Sequence, residues 1–192
     1  MTVAETVDHR FTRTEYEQMA AMGFFTEKRV ELIGGRILDM PPQTNLHALG
    51  IMVLNRFLTK HLGEEFLVRC QLPLSIADDQ APEPDFAVLR GKVEEIKEHP
   101  GTALLVIEVS FDSLKRDRDK AAVYAQAGVA EYWIVNLNAR ELIQHTLPRQ
   151  AVSGTDQPAK YASVRTFSTE DIVTCNALPL PPRKVADLLP PF

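Results

Sequence analysis

The chain is poor in cysteine, has no long uncharged apolar run and carries no excess of positive charge, and each shortage closes off a class of protein. Cys70 and Cys175 are the only cysteines among 192 residues, too few for a disulfide framework and without Cys-x-x-Cys spacing. They read as reduced packing residues. Nowhere do roughly 18 apolar residues run together without charge, so no membrane-spanning helix is expected. The stretch Met1 to Arg10 lacks an apolar segment of the kind a secretory leader needs, and a cytoplasmic protein with no membrane partner is expected. Lysine and arginine number 21 against 26 aspartates and glutamates, a formal charge of −5 with five histidines neutral. That balance argues against a broad, non-specific polyanion binder, although a bound metal ion or a basic face can still supply positive charge locally. Also missing are a Gly-x-Ser-x-Gly elbow, a His-Glu-x-x-His helix, a phosphate loop ending in Gly-Lys-Ser/Thr and any paired Cys/His zinc spacing. Arg90-Gly-Lys has neither the upstream glycine nor the downstream hydroxyl of such a loop.

What is present is a chain with 45% hydrophobic residues, enough to bury a real core. One domain over residues 1–192 is expected, with its core at about 28–147 and a β extension at 148–192. Thr12-Arg-Thr-Glu15 has capping-box spacing and predicts a short helix through Met19, ended near Gly23. Arg29 to Met40 reads as two short strands turned at Gly34-Gly35, a pair able to take the positive φ angles of a tight hairpin. A helix is predicted from Thr44 or Asn45 to about His61, with Leu46, Gly50, Val53, Leu54, Phe57 and Leu58 at helical spacing. Phe66 to Ile76 reads as a strand broken at Pro73, and Pro82 to Leu89 as another. Ala103 to Val109 is apolar at nearly every position, as a strand covered on both faces should be, and is the candidate sheet centre. A helix from about Ser113 to Ala127, closed by Gly128, leads into the strand Glu131 to Asn136 and a hairpin arm at 140–147. Pro148 to Lys160 reads as a loop, Tyr161 to Phe167 as one more strand, and the proline-dense tail from Leu178 as an extended segment laid over the surface. The order of elements predicts the α/β class: a mixed sheet flanked by helices.

Within this pattern two carboxylates stand where a charge is costly. Asp85 heads the apolar run Phe86-Ala-Val-Leu, and Glu108 sits inside Ala103-Leu-Leu-Val-Ile-Glu-Val; an ionised group in such surroundings requires a cation, a partner or hydrogen bonds. On neighbouring strands, matched side chains would stand about 4.5 to 5.5 Å apart, close enough to share one ion. Two carboxylates and water are hard oxygen donors that suit Mg²⁺, or Mn²⁺ in its place, better than zinc. Lys120 lies on the stripe with Val123, Tyr124 and Ala127 that should face the same sheet, whereas Lys115 to Asp119 form a charge-mixed turn that water can solvate. Each residue also has a plainer reading. A lone aspartate at a strand end is commonly a turn or cap residue, a helical lysine commonly snorkels, and His47 on an apolar helix face is commonly a satisfied core histidine. Glu31 on a hairpin arm would pair with Arg29 or Arg36, and Tyr124, Tyr132 and Trp133 would simply pack.

Taken together, Arg29-Val-Glu-Leu-Ile-Gly-Gly-Arg-Ile, Met40-Pro, His47, Pro84-Asp85-Phe, Ile107-Glu-Val-Ser and Lys120-Ala-Ala-Val-Tyr-Ala-Gln-Ala-Gly-Val-Ala-Glu-Tyr-Trp-Ile-Val resemble the Uma-type restriction-endonuclease family. This is a bacterial domain of unknown function placed in the PD-(D/E)XK nuclease superfamily, and the resemblance covers nearly the whole chain. It implies a restriction-endonuclease-like core in which Asp85 and Glu108 bind metal. The superfamily's usual lysine position, two residues after the second acid, holds Ser110 here, and the resemblance implies that Lys120 is recruited from the following helix instead. Glu31 and His47 match recurrent family positions, which implies that they position metal or water. The chain departs from the pattern in a charged turn one residue shorter before Lys120, and in Asn136 where aspartate is common. The expectation is thus an endonuclease hydrolysing DNA with Mg²⁺, as a possible homodimer because double-strand cutters commonly need two sites. The alternatives are a catalytically silent module binding DNA or protein, and an enzyme acting on RNA or a small phosphoester.

Overall fold

A computed structural model describes residues 8–191; Met1 to Val7, most of the stretch read as lacking a leader, lie outside the described residues. Helix α1 (Arg13–Ala21) starts where its capping box predicts. Thr12 Oγ1 accepts from the Glu15 N–H at 3.2 Å while Glu15 Oε2 accepts from the Thr12 N–H at 2.8 Å, so two otherwise orphaned donors are satisfied reciprocally. Strands β1 (Val30–Ile33) and β2 (Arg36–Asp39) form a separate antiparallel hairpin. Gly34 and Gly35 turn it at φ values of 58° and 69°, the left-handed pair that matches the natural strand twist. Helix α2 (Asn45–His61) is capped by Thr44, whose hydroxyl accepts from the His47 N–H.

The main sheet has six strands in the order β3 (Phe66–Cys70), β4 (Phe86–Arg90), β5 (Leu105–Ser110), β6 (Glu131–Asn136), β7 (Glu141–Arg149) and β8 (Lys160–Phe167). Only β5 and β6 run parallel, and helix α3 (Leu114–Gln126) makes the crossover between them. This is the expected α/β architecture, a mixed sheet flanked by helices. Every residue of β5 and β6 is buried, which is why these segments read as continuous apolar runs rather than alternating ones. Leu105, Ile107 and Val109 pack with Leu54, Phe57 and Leu58 of α2, whereas Val106, Tyr132 and Ile134 pack with Tyr124 and Ala125 of α3. Glu108 shares the α3 side with Val106.

Two expectations are corrected. The tail is not laid over the surface: Leu178, Leu180, Val185, Leu188 and Leu189 are buried in the same cluster as α2. The apolar face of α2 is wider than the sheet alone can cover, and the tail, bent by the short pair β9 (Ile172–Val173) and β10 (Arg183–Lys184), closes it. Nor does Pro148 begin a loop, because β7 continues to Arg149 with Pro148 opposite Tyr161. Strand β6 stops pairing at Thr146, so β7 has a partner on one side only beyond that point, where a missing N–H is tolerated.

Candidate active site

The antiparallel register of β4 and β5 sets Phe86 opposite Ile107 as its last pair, and continuing that register one residue outward brings Asp85 toward Glu108. The two acids therefore leave the sheet on the same face, as the sequence expectation required. Their strand-end backbone holds them there. Asp85 Oδ2 accepts from the Val109 N–H at 2.8 Å, and the Asp85 N–H points to Glu108 Oε2 at 3.4 Å. Both side chains are nearly inaccessible, Asp85 at 7% and Glu108 at 5% exposure. Like charges on one rung repel, so neighbours must compensate them.

Lys120 supplies part of that compensation. Its Nζ lies 3.0 Å from Glu108 Oε1 and 2.8 Å from Glu31 Oε2, so one buried ammonium joins α3, β5 and the β1–β2 hairpin. Burial alone would disfavour its charge, but Glu108 and then Glu31 outweigh that and hold Lys120 protonated. Glu108 shows the opposite balance, since burial pushes its carboxyl up to about 8 against the pull of Lys120, with Asp117, Asp85 and Glu31 adding to the rise. Glu31 thus pairs with Lys120 and not with Arg29 or Arg36, and its Oε1 is buried with no hydrogen-bond partner among the described residues. Arg29 instead bonds Glu83. His47, at the first turn of α2, brings Nε2 to 3.2 Å from Asp85 Oδ2, while its Nδ1 has no hydrogen-bond partner among the described residues. All five residues singled out in the sequence, Glu31, His47, Asp85, Glu108 and Lys120, line one cleft of about 140 Å³.

Sequence reasoning missed three members of this neighbourhood. Tyr124, read as packing, donates its hydroxyl to Glu108 Oε1 at 2.9 Å; it stands one helical turn after Lys120, and that spacing was the available signal. Gln71, just past β3 at a φ of 52°, donates to Asp85 Oδ1 at 3.2 Å. Asp117 is not solvated with its turn but buried at 3% exposure, taking the Ser113 hydroxyl, and burial raises its carboxyl. It lies three residues before Lys120 and so shares the inward stripe.

The donor chemistry fits a hard divalent ion held by few protein ligands. Among the described residues no three His, Cys, Asp or Glu side chains converge as a ready-made metal cage. A small ion of the Mg²⁺ kind does not need one, because it keeps several waters and typically takes one or two carboxylates plus substrate phosphate. The bonds from Lys120 and Tyr124 both fall on Glu108 Oε1, which leaves Oε2 with only the long contact from the Asp85 N–H. Glu31 Oε1 is buried and has no hydrogen-bond partner among the described residues.

Glu31, His47, Asp85, Glu108 and Lys120 thus converge on a six-stranded mixed sheet whose one parallel pair is joined by a helix. The chain belongs to the Uma2 family, described as "Putative restriction endonuclease", which matches residues 13–181. Its fold is similar to the crystal structure of "a putative nuclease belonging to DUF820" from Anabaena variabilis ATCC 29413, with a TM-score of 0.66 over 93% of this chain and 97% of that one. At 16% identity that likeness speaks for the fold alone. No curated protein matches the chain. Among the described residues no helix is long and apolar enough to cross a membrane.

Proposed function

We propose that this chain is a metal-dependent endonuclease hydrolysing DNA phosphodiester bonds. The observation that carries the reading is the meeting of Asp85 and Glu108 at the end of the β4–β5 ladder, with the Lys120 ammonium bonded to the second acid. Asp85 and Glu108 would hold Mg²⁺, or Mn²⁺ in its place, Glu108 through Oε2 and Asp85 alongside its bonds from Gln71, Val109 and His47. When bound, such an ion supplies Lewis-acid polarisation and a lowered water pKa at the phosphate. Lys120, kept cationic by two carboxylates, stands where it can stabilise negative charge building on phosphate oxygens. His47 bonds Asp85 Oδ2 and orients that carboxylate, a supporting role outside the reacting atoms. Glu31 fixes Lys120 from the hairpin side and offers Oε1 to water or metal.

Replacing Asp85 or Glu108 with alanine should abolish Mg²⁺-dependent cleavage of plasmid DNA while far-UV circular dichroism stays native. Full activity in both variants would refute the assignment. The alternative of a silent module draws on a specific observation, namely that Lys120 already pairs with both Glu31 and Glu108. Titration calorimetry separates the two, because the silent module would take up no Mg²⁺ at a site lost with Asp85.

A further inference from the structure

We infer that the cleft selects single-stranded DNA over duplex, an inference that rests on the nuclease reading above. The reacting groups lie deep: Asp85, Glu108 and Lys120 are 7%, 5% and 4% exposed at the floor of a slot of about 140 Å³. One wall is the segment 40–44 that follows the hairpin, and the other is the turn 111–117 that opens α3. A phosphate reaches such a floor more readily on a thin, bendable strand than on a stiff double helix.

The slot also continues on both sides. Pro41 borders the slot and two further grooves, one lined by Lys28 and Arg29 and the other by Lys115 and Arg116. A path through all three passes Lys28 and Arg29, the two buried acids, then Lys115 and Arg116, with Glu27, Asp39, Glu83, Asp112 and Asp119 set among them. Between them the rim is apolar, with Met40, Pro41, Pro42 and Phe111 offering surfaces on which base faces can rest. Apolar and aromatic platforms on which successive bases can stack are a feature of single-strand binding.

Charge argues in the same direction. Duplex DNA presents about one negative charge per 1.7 Å and is held by arrays of free lysines and arginines. Here Lys28, Arg29 and Lys115 are each paired with an acid, Asp39, Glu83 and Asp119 respectively. Arg116 makes no ion pair among the described residues, and its Nε lies buried without a hydrogen-bond partner. A single guanidinium outside the ion pairs, its charge acting on Asp117, is a poor platform for a charge-dense double helix.

The test has two arms on the full chain. Binding is read by fluorescence anisotropy with a labelled 20-nucleotide strand and its 20-base-pair duplex, with Ca²⁺ in place of Mg²⁺. Cleavage is read with closed circular single-stranded DNA and the relaxed closed circular duplex of the same sequence, in Mg²⁺ and in Mn²⁺. The expected result is binding of the single strand about tenfold or more tighter than the duplex and preferential opening of the single-stranded circle. Arg116→Glu and Phe111→Ala should each weaken single-strand binding about fivefold or more, and Lys115→Glu, at a fully solvated position, serves if either misfolds. Equal or tighter duplex binding, equal cutting of both circles, or single-strand binding indifferent to the charge reversals would overturn the inference. If neither circle is cut but the single strand is still preferred, the nuclease reading falls and the strand preference stands. If neither form binds or is cut, both fall.

Discussion

Lys120 and Glu108, twelve residues apart in sequence, meet at 3.0 Å where α3 packs on β5. The shortened charged turn before the lysine does not keep it from the acid.

Removing that cation should cost stability before it costs chemistry. Lys120→Met leaves Glu31 and Glu108 facing each other in the interior, and breaking a buried ion pair from one side typically costs about 3–5 kcal/mol. In EDTA the variant should therefore melt well below the wild type by differential scanning fluorimetry. Adding Mg²⁺ should raise its Tm more than that of the wild type, because the ion then neutralises acids the lysine no longer serves. An equal rise in both proteins would show that lysine and metal do not share these carboxylates.

Gly50 controls how closely α2 approaches the acid rung. A Cβ built there would lie 2.9 Å from Val109 Cγ1, so any side chain pushes the helix carrying His47 away from β5. Gly50→Val should destabilise by about 1–3 kcal/mol in urea unfolding, the usual cost of overpacking. It should also slow cleavage by loosening His47 from Asp85. Met52→Val, at an exposed position of the same helix, should change neither quantity.

Glu131 is the interior anchor of the C-terminal segment. Its carboxylate accepts from Trp133 Nε1, Gln144 Nε2 and the N–H groups of Asn176 and Ala177, the last two at 2.7 and 3.2 Å. Glu131→Ala leaves those buried donors unsatisfied and should cost about 3 kcal/mol or more. Limited proteolysis should then cut within residues 168–189 in the variant well before it touches the wild type. Unchanged resistance in that segment would show that apolar burial of Leu178, Leu180 and Leu188 holds it without the anchor.

Cys175 should be chemically quiet. Burial first, and Glu131 second, push its thiol up to about 12, and only the thiolate is an effective nucleophile. Because the shift is upward, reactivity at pH 8 is suppressed and recovers only as the solution approaches the raised value. In a native titration with a thiol reagent at pH 8, Cys175 should lag an unhindered cysteine by about a thousandfold, given an ordinary thiol near 8.5. Denaturation should release it at once.

Features set by neighbours a few residues apart were readable in the sequence. The Thr12–Glu15 box, the Gly34-Gly35 turn, the Thr44 start of α2 and the closure of α3 before Gly128 all involve residues within one helical turn or a tight turn, so composition and spacing define them. Asp85, Glu108 and Lys120 were legible because charge among apolar residues, or on an apolar stripe, is a cost that local sequence displays. What escaped depends on long-range packing. The tail is rich in proline, which reads as exposed coil, yet its leucines are needed to finish covering α2. Gln71 reaches Asp85 only because β3 and β4 pair, and Asp117 is buried only because α3 turns that flank toward the sheet. Glu131 was seen only as the head of a strand, since its four donors come from β6 itself, β7 and the chain around residue 176.

The acid rung has a consequence for how such a protein can change over generations. Asp85 and Glu108 are placed by main-chain pairing between β4 and β5, so core side chains on either face can be exchanged one by one without sliding the carboxylates apart. A slip of one residue would turn an entire strand inside out and be lost with the fold. The spacing of the two acids is thus inherited with the sheet, while the rim of the cleft, built from connecting segments, is free to change.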